Sequence, residues 1–183
     1  MNEVLNTIQN RRSIRKYKTE QISSESLELI LEAGAYAPSG GNEQPWHFTV
    51  IQNRSLLSRI NDRVREGMKE SDDEWVRKMG NNPSFMVTYD APTLILVSGR
   101  KDAMSWKADC AAAIQNMLLA AESLGIGSVW LGLVRYFYQD REMETLGIPD
   151  GYQPYYGVAL GYKAEEQQPA APERAANTVN YIR

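Results

Sequence analysis

Residues 109–132, DCAAAIQNMLLAAESLGIGSVWLG, constrain the fold more than any other stretch of the chain. Between Cys110 and Leu124 nearly every residue is small or apolar. A helix apolar almost all round is a buried helix, whereas a surface helix shows a single apolar stripe. Gln115, Asn116, Glu122 and Ser123 leave only a narrow polar strip. Alanine and leucine favour helix, and no proline interrupts. Gly125 is placed to end the helix in the left-handed conformation, and Gly127 to loosen the turn after it. Residues 128–133 then read as a buried strand. A central helix therefore feeds a central strand, and the small residues also suit close approach to a second helix, within one chain or between two. Gly125 and Gly127 do not make a dinucleotide fingerprint, which needs strand, glycines and helix in that order, with the helix N-terminus facing the pyrophosphate.

The remaining inventory excludes much chemistry. One histidine, His47, and one cysteine, Cys110, rule out a Cys/His zinc site and an internal disulfide. No G-x-S-x-G elbow and no Walker-type phosphate loop occurs. The net charge of −3 gives no general attraction for nucleic acid. No apolar run approaches the roughly 20 residues that span a bilayer. Together with a polar N-terminus and a lone cysteine, these features lead to the expectation of a cytoplasmic protein. The length of 183 residues suits one domain over residues 1–183. Difficult chemistry in such a chain would come from a bound cofactor.

Along the chain, residues 2–10 read as a short helix with Val4, Leu5 and Ile8 on one side. Residues 11–18, RRSIRKYK, then hold five cations in eight positions. This is either a solvated basic face or an anion site made of guanidinium forks and the Ser13 hydroxyl. Ile14 and Tyr17 would pin the segment to the body. Ser23 is a natural N-cap for a helix carrying Leu27, Ile30, Leu31 and Ala35. Pro38 ends that helix, and residues 39–42 form a polar loop before a strand at 46–51. Asn53 caps a helix with Leu56, Leu57, Ile60 and Val64. Residues 66–89 scatter Met68, Trp75, Met79, Phe85, Met86 and Tyr89 among charges. They predict a short helix around 72–79 and a mobile flap, its large side chains lining either a pocket or the core. Strands follow at 91–98 and 155–162, with a loop at 99–107 and a short helix near 140–146. The tail, 163–183, has too little apolar content to form a core, so it is disordered or lies on another surface.

Four separated stretches combine. They are Arg11–Arg15; Ala37–Phe48, APSGGNEQPWHF; the helix from Asp109 with LGIGSVWLG at 124–132; and IPDGY at 148–152 with GVALGY at 157–162. In that order and spacing the chain resembles the nitroreductase family of FMN-dependent oxidoreductases. The resemblance implies an α+β fold with a mixed sheet flanked by helices. It also implies a homodimer built on the central helix, with C-terminal tails crossing to the partner and FMN at the interface. Carried over by position, Arg11, Arg12, Ser13 and Arg15 match the family's first FMN segment, with Arg11 and Ser13 on phosphate and Arg15 near the flavin's pyrimidine end. Pro38, Ser39, Gly40, Asn42 and Gln44 match a loop reaching the flavin from the other subunit. Trp130, Leu131 and Gly132 match the stretch along the ring, and Arg174 resembles a late arginine that returns to the phosphate. The implied reaction takes a hydride from NADH or NADPH and reduces nitroaromatic, quinone or related acceptors, donor and acceptor alternating at one site. No side-chain nucleophile or metal is called for. The same fold and cofactor also serve dehalogenation, dehydrogenation and other flavin chemistry, or flavin binding without catalysis.

Overall fold

The computed structural model describes residues 2–138, 141–164 and 169–183. The helices begin where capping side chains can satisfy their first amides. Asn2 caps α1 (Glu3–Asn10), Ser23 caps α2 (Ser24–Ala35), Asn53 caps α3 (Arg54–Lys69) and Asp73 caps α4 (Glu74–Gly80), each through a side-chain oxygen. The long helix α5 spans Trp106–Ser123 and closes before Gly125, whose φ of +72° is the left-handed stop expected there.

Four strands, β1 (Trp46–Ile51), β2 (Thr93–Arg100), β3 (Ile126–Leu131) and β4 (Tyr152–Tyr162), form one sheet in the order β1-β2-β4-β3. All three ladders are antiparallel. The sheet's mixed character comes from one parallel bridge, Ser13 with Ser128, on the outer edge of β3. Central β2 alternates two buried faces. Leu94 and Leu96 join a core with α3, α4 and residues 129–137, while Ile95 and Val97 join a second core with α2 and α5. A strand covered on both sides reads as a continuous apolar run, and residues 94–97 do.

Several expectations change. The third strand starts two residues early, at Ile126, so Gly127 lies inside β3 and not in a turn. Its missing side chain has a packing reason: a Cβ there would come within 2.9 Å of Ile14 Cγ2. Across the ladder Gly127 faces Gly161, where a Cβ would come within 2.9 Å of Tyr17 Cδ1. The two glycines form a shallow seat for the residues expected to pin the basic segment. Residues 66–89 do contain a short helix, but Met68, Val76 and Val87 belong to the core, and Trp75 stays 57% exposed. The helix expected near 140–146 is a 3-10 helix at Arg141–Leu146, and residues 139 and 140 lie outside those described.

In a single chain α5 buries one stripe, including Cys110, Ala113, Ile114, Met117 and Ala121. Its other side is less covered than the sequence implies: Ala108 is exposed, and Ala111, Ala112 and Leu119 are half-buried. Beside it, Val4, Leu5 and Ile8 of α1 are 66, 48 and 48% exposed. A groove of about 290 Å³ runs between the two helices. Residues 169–183 are exposed throughout.

Candidate functional site

The basic segment is held in place by backbone as well as by its two anchors. Ile14 N donates to Ser128 O at 3.0 Å, and Lys18 N donates to Tyr162 O at 2.9 Å. Tyr17 donates its hydroxyl proton to Ile14 O at 2.6 Å, and burial raises its phenol pKa well above the ordinary value. Ser13 is thus paired to a residue only two positions from Trp130 on the same strand.

The cations in this segment have different roles. Arg12 folds back on the end of α1, donating to Gln9 O at 2.7 Å and Arg11 O at 2.8 Å. It thereby satisfies carbonyls that the helix leaves open. Arg15 lies 5.6 Å from the centre of the Tyr89 ring, a cation–π distance. The Arg11 guanidinium and Ser13 hydroxyl have no hydrogen-bond or ion-pair partner among the described residues. Donors left over on a firmly seated segment suit an anion from outside the chain.

The second candidate loop is equally well held. It forms a 3-10 turn at Gly40–Asn42, and the buried Asp109 of α5 ties it down. Asp109 accepts from Gly40 N at 3.3 Å and from Ser105 Oγ at 3.0 Å. Gly40 makes room for this approach: a Cβ there would sit 2.4 Å from Ser105 Oγ and would push that hydroxyl off Asp109. Ser39 Oγ accepts from Gln44 N, and Gln44 Nε2 donates to Asn42 Oδ1. Asn42 and Gln44 hold φ of +57° and +45°, and Tyr89 and Asp90 hold +54° and +57°. Non-glycine residues in this region are uncommon and gather at functional loops.

A row of rings links the third stretch to the start of α5. Trp130 meets Tyr156 edge-on at 5.5 Å, Tyr156 lies 4.2 Å from Tyr155, and Tyr155 meets Trp106 at 5.6 Å. Gly132 follows with its Cα open toward Tyr156, the nearest atom to a built Cβ being 3.9 Å away. The structure thus brings residues 11–15 and 130–132 together along β3. No hydrogen bond or ring contact among the described residues joins either stretch to the 38–44 loop or to Arg174, which sits in the exposed tail.

Sequence reasoning missed Tyr89, Asp109 and Tyr156 as neighbours of the candidate residues. A lone carboxylate on an alanine-rich helix is the one signal that could have singled out Asp109. Cys110 is fully buried, and burial, followed by the charge of Asp109, pushes its thiol up to about 12. Such a thiol is no nucleophile at neutral pH. Iodoacetamide at pH 8 is expected to leave Cys110 unmodified in the folded protein and to label it fully in urea; rapid labelling of folded protein would contradict this burial.

The family model described as Nitroreductase family matches residues 8–162. The chain belongs to the nitroreductase family. A solved nitroreductase with bound FMN from Bacteroides fragilis is 41% identical with a TM-score of 0.92, and the match covers 100% of both chains. A protein of Archaeoglobus fulgidus, provisionally named NADH dehydrogenase/NAD(P)H nitroreductase, is 40% identical over 170 residues, 91% of this chain and 89% of its own. An FMN reductase [NAD(P)H] of Bacillus subtilis is 27% identical over 189 residues, 97% of this chain and 73% of its own. The nitroreductase fold accounts for the antiparallel sheet between two helical layers. Among the described residues of this family member no helix is long and apolar enough to cross a membrane.

Proposed function

We propose that this nitroreductase-family enzyme binds FMN, accepts a hydride from NADH or NADPH, and reduces nitroaromatic, quinone or related acceptors in a ping-pong cycle. The observation that carries the proposal is the unpartnered Arg11–Ser13 donor pair, seated on β3 beside Trp130–Gly132. These residues fit the cofactor: a guanidinium and a hydroxyl suit its phosphate, and a flat stretch of strand ending in a glycine suits its ring. FMN bound in the Bacteroides fragilis relative, and NAD(P)H in the Bacillus subtilis relative's name, support the same reading.

In this arrangement Arg11 and Ser13 hold the phosphate, with Arg174 of the tail closing over it. Arg12 acts from the end of α1, where it fixes the backbone that carries Arg11. Trp130, Leu131 and Gly132 support the ring. Arg15, steadied by Tyr89, places positive charge at the ring's pyrimidine end, where electron uptake gathers negative charge. FMN supplies the hydride-accepting and hydride-donating chemistry, so no protein nucleophile is needed.

The enzyme acts as a homodimer in the cytoplasm, as a single domain over residues 1–183. The less covered faces of α5 and α1 supply the interface, and the loop carrying Pro38, Ser39, Gly40, Asn42 and Gln44 completes the partner's site. Exposed Val179, Tyr181 and Ile182 give the tail apolar residues with which to cross over.

The purified protein is expected to be yellow, and its flavin absorbance to bleach anaerobically with NADH or NADPH and return with an acceptor. A colourless protein that takes up no FMN would end the proposal. Arg11→Ala is expected to weaken FMN binding by about 1.5–3 kcal/mol, the range for charged hydrogen bonds. An unchanged dissociation constant, read by flavin fluorescence titration, would remove Arg11 from the phosphate.

A further inference from the structure

After Gly132 the chain makes a 3-10 helix, Leu133–Phe137, with Val134 and Phe137 buried. It sits directly on α3, because Gly67 has no side chain: a Cβ there would lie 2.5 Å from Tyr136 O. The position of this turn relative to the ring-supporting strand is therefore well fixed. Its exposed residue is Arg135. The guanidinium lies 5.2 Å from the centre of the Tyr136 ring, and Nη2 donates to Tyr136 Oη at 3.5 Å. Tyr136 Oη in turn is hydrogen-bonded to Ser71 Oγ at 2.9 Å, across 65 residues of chain. The Arg135 and Ser71 contacts both lower the phenol's pKa.

No carboxylate forms an ion pair with Arg135 among the described residues. Asp73 is near enough for its charge to be felt, but it does not pair. Steadying a long side chain loses rotamer entropy, and here no internal ion pair compensates. An arriving anion would. A guanidinium presents parallel donors that match phosphate oxygens.

We propose that Arg135, braced by Tyr136 and Ser71, receives the phosphate groups of the dinucleotide hydride donor at the edge of the Trp130–Gly132 stretch. The assignment rests on the flavin oxidoreductase reading and adds to it a determinant of donor recognition. Arg135 makes no contact with the reacting atoms in this role.

The test is anaerobic stopped-flow reduction of the FMN-loaded enzyme by NADH, NADPH and 1-benzyl-1,4-dihydronicotinamide, which keeps the dihydronicotinamide ring but has no phosphate. For Arg135→Gln, the ratio of second-order rate constants, dinucleotide over benzyl analogue, is expected to fall about 10-fold or more, as for a lost charged hydrogen bond. Raising the salt should shrink that ratio in the unsubstituted enzyme and move it little in the variant. Arg135→Lys should recover part of the ratio, and Tyr136→Phe should lower it by less than Arg135→Gln. A ratio within about twofold of the unsubstituted enzyme, or an equal fall with all three donors, would overturn the assignment. Failure of the flavin reading looks different: no donor would bleach even the unsubstituted protein, and the role of Arg135 would fall with it.

Discussion

Gly127→Val is expected to unseat the basic segment and so to damage stability and cofactor binding together. A Cβ at position 127 would meet Ile14 Cγ2 at 2.9 Å, Ile14 Cβ at 3.1 Å and Lys163 Cγ at 3.1 Å. The two Ile14 atoms lie close to a backbone bonded to β3, so they have little freedom to give way. Overpacking of this kind costs about 1–3 kcal/mol, and partial exposure of Ile14 adds about 1–2 kcal/mol. A loss of about 3 kcal/mol corresponds to a fall of roughly 6–12 °C in Tm for a chain of this size. Because Arg11, Ser13 and Arg15 ride on the displaced segment, FMN affinity should fall as well. Gly132→Ala provides the contrast, since only Tyr156 lies near, at 3.9 Å. Its cofactor-free Tm should stay within about 2 °C of the unsubstituted chain, as for substitutions without a steric cause. Thermal unfolding at one fixed protein concentration, with and without FMN, reads both effects. A valine variant as stable as the unsubstituted chain would show that the seat is not needed.

Glu122→Ala is expected to be comparably damaging, for an electrostatic reason. Lys163 Nζ lies 3.0 Å from Glu122 Oε2, with the two side chains only 15 and 11% exposed. The pair joins α5 to the end of β4, next to the point where Ala164 N donates to Lys16 O. Removing the carboxylate leaves an ammonium group largely out of water without its counter-charge. Breaking a fully buried pair from one side costs about 3–5 kcal/mol, and this part-buried pair is expected to lose about 1–3 kcal/mol. The double replacement Glu122→Leu with Lys163→Met should recover much of that loss, because a well-packed apolar pair also avoids the desolvation penalty. Urea unfolding of the single and double variants checks the claim. A Glu122→Ala protein that unfolds at the same urea concentration would refute it.

The features legible in the sequence were local ones. Ser23 and Asn53 announce helix starts because a capping side chain acts within three residues, and Gly125 announces a stop because φ at one residue decides it. The run at residues 94–97 declares a strand buried on both faces by its own composition. Ile14 and Tyr17 were recognisable as anchors, yet nothing local showed that their seat is Gly127 and Gly161, more than 100 residues away. For the same reason Gly127 reads as turn material in sequence and proves to be a packing glycine. Tyr89 and Asp109 escaped notice because their partners, Arg15 and Gly40, come from distant elements. Residues 66–89 resisted reading since their core positions Met68, Val76 and Val87 fall in a helix end, a short helix and a turn, with no single period. The apolar character of α5 is plain in its composition, but a single chain buries only one side of it. Of the candidate site, the ordered motifs nominate the residues, and the fold shows which of them adjoin within one chain.

The facing glycines also make one segment's seat depend on how two strands are paired. Their hollow does not exist on either strand alone; it appears only once β3 has aligned with β4 in the register that sets 127 opposite 161. Ile14 bonds to β3 and Lys18 to β4, so the arm that carries the arginines spans both strands and depends on their alignment. A slip of one residue in that alignment would set Leu160 or Tyr162 opposite Gly127, fill the hollow and deny the charge-bearing arm its seat.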